Sequence, residues 1–376
     1  MSYVVDWVLP FLVVLSVLIF VHELGHYLIA RACGVMVEVF SIGFGPELFG
    51  WTDRVGTRWK VSAVPLGGYV KMYGEETFEG GDAAEPGESV PRRADHLSFR
   101  HKRLSQRAAI VAAGPFANIL FALVLLLGLF GFVGAPAPLP VVGVVQEGSA
   151  AAVADFRAGD LIVKIGDEPI TWFEDLRRIV NASPGVELTF HVVRDSAPIE
   201  IDATPRPTTQ AIDGVEQTVG LLGIRPDLAR VGYESLSPTA AVGAAFAQTY
   251  ALTTQIFDAL VSIVRGSRPL DELGGPLRIA QISGQVAQDG LINLLYFMAA
   301  LSVNLALINF LPIPVLDGGH LLLYAIEAVI HRPLNKRIIE YAFRAGMVFV
   351  VCLMLLATWN DLINLRVVDF FRRLVS

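Results

Sequence analysis

Charged residues are scarce in this chain. Only 17% of its 376 residues are Asp, Glu, Lys or Arg, 53% are hydrophobic and the mean hydropathy is +0.55, whereas a soluble domain carries about 25% charge. That excludes a purely water-soluble protein. A basic excess is missing as well: 29 Lys and Arg stand against 36 Asp and Glu, a net charge of −7, so no nucleic acid is expected as a partner. Cysteine is nearly absent. Cys33 and Cys352 lie far apart, each near or within an apolar segment. This excludes a disulfide framework and a cysteine zinc site and predicts two small buried hydrophobic side chains. No Lys or Arg precedes Arg31, so the first apolar run lacks the basic leader of a cleaved secretory signal.

Long apolar runs are what the chain has instead. Residues 1–30 contain the first, long enough to cross a bilayer at 1.5 Å per residue, since about 20 residues suffice. A second occupies residues 108–134, directly after the basic stretch Arg100-His101-Lys102-Arg103 and Arg107. The third, residues 289–331, is too long for one simple span and is interrupted by Leu311-Pro312-Ile313-Pro314-Val315-Leu316-Asp317-Gly318-Gly319, where the prolines remove backbone donors and break a helix. A fourth covers residues 338–364, after a second basic loop. Two basic loops on one side and four spans predict a multi-pass protein with both termini outside, the basic loops facing the cytoplasm.

Between the first two spans, residues 31–107 form a cytoplasmic region. Within it, residues 61–73 are apolar and β-prone around Gly67-Gly68, which predicts a hairpin turning there. Residues 75–94, rich in Glu, Gly and Pro, read as a loop. Residues 138–226 have the composition of one soluble α+β module, with short strand-like runs and one helix near residues 173–181. Residues 227–288 read as an amphipathic region on the membrane surface. The net charge is concentrated in the module: residues 138–235 hold 15 acidic and 8 basic side chains, and the rest of the chain balances.

The chemistry-bearing constellation is His22-Glu23-Leu24-Gly25-His26 in the first span. Histidines at i and i+4 share one helix face and can reach one ion, while the intervening Glu can address a water bound to it. Three ionisable groups in an apolar span are costly unless they are used. Catalytic zinc usually takes three protein ligands, so a third is required elsewhere. Asp317 is favoured, because its Pro and Gly neighbours unwind the chain and let a carboxylate turn inward. His320 and Glu327 compete on the same segment.

Together with Gly43-Phe44-Gly45-Pro46, Pro65 through Met72, Gly114-Pro115-Phe116-Ala117-Asn118, and Asn304 through His320, this motif set resembles the bacterial site-2 protease family of intramembrane zinc metalloproteases, in its sigma-E regulator branch. The resemblance covers nearly the whole chain. It implies Zn2+ held by His22, His26 and Asp317, with Glu23 as catalytic base and acid. It further implies a substrate strand held by Asn304, Asn309, Pro312 and Pro314 and paired with a membrane re-entrant β-hairpin carrying Gly67 and Gly68.

The overall expectation is a polytopic α-helical membrane protein with four transmembrane helices, that re-entrant β-hairpin and one inserted α+β module similar to a circularly permuted PDZ domain. One such module fits where the enterobacterial pattern has two in tandem. The implied partners are the lipid bilayer and single-span membrane proteins, anti-sigma factors or signal-peptide remnants, already cut once by another protease. The implied location is the bacterial inner membrane, with the termini and the PDZ-like module periplasmic and the active site toward the cytoplasm. A membrane-anchored PDZ adaptor without catalysis, or an ion transporter, remain as rival classes.

Overall fold

The computed structural model describes residues 4–75, 92–212, 215–267 and 274–364. In chain order the helices and strands are α1 (Leu9–Ala32), β1 (Val37–Thr52), β2 (Arg58–Met72), α2 (Leu104–Phe132), β3 (Ala135–Pro138), β4 (Val142–Val145), α3 (Ala150–Val153), β5 (Leu161–Ile165), β6 (Glu168–Pro169), α4 (Phe173–Ala182), β7 (Leu188–Arg194), β8 (Ala197–Ala203), β9 (Arg206–Ile212), β10 (Val215–Leu221), β11 (Ile224–Pro226), β12 (Val231–Glu234), α5 (Pro238–Val264), α6 (Pro276–Gln288), α7 (Leu291–Phe310), α8 (Asp317–Ile330) and α9 (Lys336–Asn364). Among the described residues, four stretches are long and apolar enough to cross a membrane: Asp6–Ala32, Leu104–Phe132, Leu291–Phe310 and Lys336–Ile363. The chain divides into two compact units, Met1–Leu129 with Gly243–Ser376, and Phe130–Val242.

In the first unit α1 starts after a π-helical turn (Val4–Val8) with a proline in its first turn, where a missing N–H costs nothing. Its buried positions, Val14, Leu18, Gly25, His26 and Ala30, keep to one stripe of the helix. Val14 and Leu18 pack with Met298 of α7, and Ala30 with Ile110 and Val111 of α2. Helix α9 leaves most of its surface exposed, as an apolar helix facing lipid does. Cys352 lies on that surface and Cys33 is half-buried, so neither is the fully buried residue that composition suggested.

The β-hairpin departs from the sequence expectation. Residues 61–72 are one part of β2, and the turn lies at residues 53–57, where Asp53 Oδ1 accepts from the Val55 and Thr57 amides at 2.9 Å. Gly67 and Gly68 are used inside the strand. Val39 through Ile42 are flanked on one side by Arg58 through Val61 and on the other by Gly68 through Lys71, so the two long strands bend and fold back along themselves. The bend falls at Gly43 and Gly45 of β1 and at Gly67 of β2, all with positive φ, a conformation glycine adopts without steric cost. The loop expected over residues 75–94 lies mostly in 76–91, outside the described residues.

The region 227–288 is likewise not one surface element. It holds β12, α5 and α6, and α6 packs against the start of α1, α7 and α9. Gly284 lets it approach Asp6 and Trp7. Asp361 of α9, 1% exposed, accepts from the Gly275, Leu277 and Arg278 amides at 2.9 to 3.0 Å and so supplies from another helix the cap that α6 lacks locally.

The second unit is an antiparallel four-stranded sheet in the order β6-β5-β7-β8, with ladders β4–β11, β3–β12 and β9–β10. Its core gathers Val142, Phe156, Ile162, Leu176, Val180, Phe190 and Val192. Leu176 and Val180 are one helical turn apart on α4 and bury the same face. Asp160, 1% exposed, accepts from Arg194 Nε and Nη2 at 2.7 Å each and from the Arg157 amide at 2.8 Å. Removing one partner of such a pair strands a buried charge, at about 3 kcal/mol or more. Arg194→Met is therefore expected to speed hydrogen exchange of the β5 and β7 amides by roughly 100-fold. Arg157→Met, which loses only the exposed Asp155 carboxylate, is expected to change it less than about threefold.

Candidate metal centre

The site forms where α1, α2 and the start of α8 meet. Helix α7 ends at Phe310 and α8 begins at Asp317. The intervening chain is held away from helix by Pro312 and Pro314 and by Val315, whose φ of 126° is sterically unfavourable for a β-branched residue. Gly318 and Gly319 make the turn possible, because a Cβ on either would collide with the backbone of Phe310 to Pro314. Asp317, first residue of α8, is thereby brought to the histidine face of α1.

Three donor atoms converge there. His22 Nε2 lies 3.1 Å and His26 Nε2 3.5 Å from Asp317 Oδ2, and the two imidazole nitrogens are 3.2 Å apart. The side chains are 12%, 10% and 18% exposed, and ligand atoms of all three fall within 4.8 Å of one another. Oδ2 is buried without a well-formed hydrogen bond, although both imidazoles face it. Two imidazoles and a carboxylate directed at one point, with an acceptor left unsatisfied, suit a divalent cation better than a hydrogen-bonded triad. His320 and Glu327 stand outside this group. His320 packs on Phe343 at 4.8 Å between ring centres, and Glu327 accepts from Arg107 Nη2 and the Leu334 amide at 3.1 Å each.

The donors open into a cavity of about 420 Å³ whose wall includes Glu23, Gly68, Val70, Asn309, Leu316 and Tyr324. Glu23 sits beside the histidines, on the same cavity wall as Val70 of β2. Gly68 lets β2 come this close, since a Cβ would press on Ile19, Ser41 and the Glu23 side chain. Of the residues read as substrate-binding, Asn309 and Gly68 line the cavity, whereas Asn304, Pro312, Pro314 and Gly67 do not. The cavity wall also carries charged side chains, Glu75, Arg100, Arg107 and Glu327. Burial pushes the Glu75 carboxyl above its ordinary range.

Glycine decides how closely α2 can approach. A Cβ on Gly25 would strike Ala113 and Ala117 of α2, and one on Gly114 would strike His26 Nε2 and the His22 ring. Two small residues facing each other let two helix backbones meet beside His22 and His26. In the sequence Gly114 stands within a family motif without a role of its own, and its signal there is only a glycine in an apolar run.

A helical membrane protein with a buried His-His-carboxylate cluster opening into a cavity is thus the class that fold and site define. The chain matches Peptidase family M50 over residues 10–353. It is 43% identical over 372 residues to a "Putative zinc metalloprotease" of Agrobacterium fabrum, covering 97% of each chain, and 42% identical over 356 residues to one of Rhizobium meliloti, covering 94% of this chain and 95% of that one. The Metalloprotease MmpA of Caulobacter vibrioides is 38% identical over 384 residues, with 96% of each covered. The chain belongs to peptidase family M50, the site-2 protease family of membrane metalloproteases.

Gly114→Ala tests the crossing. Its methyl group has no room beside His26, so bound metal per chain is expected to fall below about one tenth of wild type by plasma mass spectrometry, a cost of about 1.4 kcal/mol or more in affinity. Gly128→Ala, at a position with open space, is expected to keep full stoichiometry.

Proposed function

We propose that this protein is an intramembrane zinc endopeptidase of single-span membrane proteins. The observation that carries the reading is the convergence of His22, His26 and Asp317 within 4.8 Å, in one cavity with Glu23. A zinc ion held by those three residues would supply a Lewis acid that polarises the scissile carbonyl and acidifies water. Glu23 accepts a proton from the attacking water as its oxygen bonds to the carbonyl carbon, then delivers that proton to the amine that leaves when the C–N bond breaks. Asn309 on the cavity wall can orient the substrate backbone from α7. The HExxH geometry suits this division of labour, because the two histidines take the metal-facing positions while Glu23 faces the cavity beside them.

A transmembrane helix resists hydrolysis because its amides are internally paired, so the substrate must unwind at the site. The β2 segment that lines the cavity, Gly68 through Val70 and Met72, offers backbone to an extended strand, and strand addition would satisfy the substrate's exposed amides inside the membrane. In this reading the hairpin is the re-entrant element and the second unit is a PDZ-like filter that admits substrates shortened by a prior cut. The protein spans the bacterial inner membrane with the PDZ-like unit and both termini periplasmic and the metal centre toward the cytoplasm.

Glu23→Gln is expected to retain one zinc per chain while cleavage of a single-span substrate in proteoliposomes falls by about 10²–10⁴-fold. Cleavage at the wild-type rate would remove Glu23 from the reaction and favour an adaptor role. Asp317→Ala is expected to lose both zinc and activity, and full zinc stoichiometry in that variant would mean that the ligand set is wrong.

A further inference from the structure

Helix α2 supplies none of the three donors, yet it touches both imidazoles on their outer nitrogens. His26 Nδ1 lies 2.9 Å from the Ile110 carbonyl oxygen. An oxygen of that kind only accepts, so the proton is on Nδ1 and His26 Nε2 presents a lone pair to the centre of the cluster. His22 is met differently. Its Nδ1 is 3.3 Å from the side-chain amide nitrogen of Asn118, a residue 0% exposed whose Oδ1 has no hydrogen-bond partner. For His22 to offer Nε2 to a cation, its proton must also be on Nδ1, and the atom facing that proton must be an acceptor. Rotating the amide by half a turn exchanges its oxygen and nitrogen. Because Oδ1 holds no other bond, the rotation replaces one contact and breaks no other. The backbone at Asn118 is held independently: its carbonyl accepts from Ser302 Oγ of α7 at 2.8 Å. This fixes the side chain's starting point beside His22.

We propose that Asn118 is a positioning residue of the metal centre, its amide oxygen accepting from His22 Nδ1–H so that the tautomer and ring orientation leave both Nε2 atoms directed at the site shared with Asp317. Helix α2 thus serves as the outer shell of the centre: the Ile110 carbonyl sets one imidazole, Asn118 sets the other, and Gly25 and Gly114 allow the approach that brings both within reach. This rests on the zinc reading above and adds to it a residue that contacts neither metal nor substrate.

The test uses the full-length protein purified in detergent, with zinc affinity measured by competition against a chromophoric chelator. Asn118→Leu fills the same space without an acceptor and is expected to bind zinc about 10- to 100-fold more weakly than wild type. Asn118→Asp keeps an acceptor at the same reach and is expected to stay within about threefold of wild type. Leu at wild-type affinity would overturn the proposal, and so would Asp as weak as Leu, since that would mean Asn118 matters for packing alone. If the Leu variant does not fold, the Asp variant decides by itself: retained affinity supports the acceptor role and lost affinity overturns it. The underlying zinc reading fails in a distinguishable way, by wild type binding no zinc or by His26→Ala binding it as tightly as wild type.

Discussion

Everything in the first unit depends on how closely α1 and α2 can approach at Gly25, Ala113 and Gly114. In lipid, helices gain little from burying apolar surface against each other, so association rests on packing and on hydrogen bonds that small residues make reachable. A single added Cβ at Gly114 would occupy the space of the His26 imidazole. The same approach delivers the Ile110 carbonyl and the Asn118 amide to the outer nitrogens of the two histidines. Backbone proximity is therefore the condition for the chemistry as well as for the packing.

A second constraint comes from the cost of polar groups away from water. Non-helical backbone at membrane depth is tolerated only where protein surrounds it or a cavity wets it. The segment between Phe310 and Asp317 meets that condition, with Val315 and Leu316 on the cavity wall and Gly346 of α9 close against Pro314. The break has a use: it starts a new helix on a carboxylate, and that carboxylate reaches the histidines. Strand β2 brings Gly68 close to Glu23, so a strand and a helix break contribute to the wall of the same cavity.

The apolar helices are legible in the sequence because a run of about 20 apolar residues matches the hydrocarbon thickness of a bilayer, and the sharing of one helix face by His22 and His26 follows from their spacing alone. Asp317 is legible for a different reason, as a carboxylate placed where prolines and glycines forbid a helix. The hairpin turn is misplaced by the sequence because Pro65 and Gly67-Gly68 carry the signature of a turn. Local sequence cannot distinguish a turn from a bend inside a long strand, and here the turn is made by Asp53 capping its own loop amides. Asn118 carries no periodic signal: a single amide in an apolar helix gains meaning only when the neighbouring helix is in place. The α6 segment shows the same limit, since its cap, Asp361, comes from another helix.

The proposed centre holds one zinc ion on His22, His26 and Asp317, and X-ray absorption at the zinc edge of the purified full-length protein probes that ligand set directly. The expected spectrum has a first shell of nitrogen and oxygen donors only, at about 2.0–2.2 Å, with outer-shell scattering from two imidazole rings that drops to one in His22→Ala. A sulfur shell near 2.3 Å, or a spectrum without imidazole scattering, would contradict it.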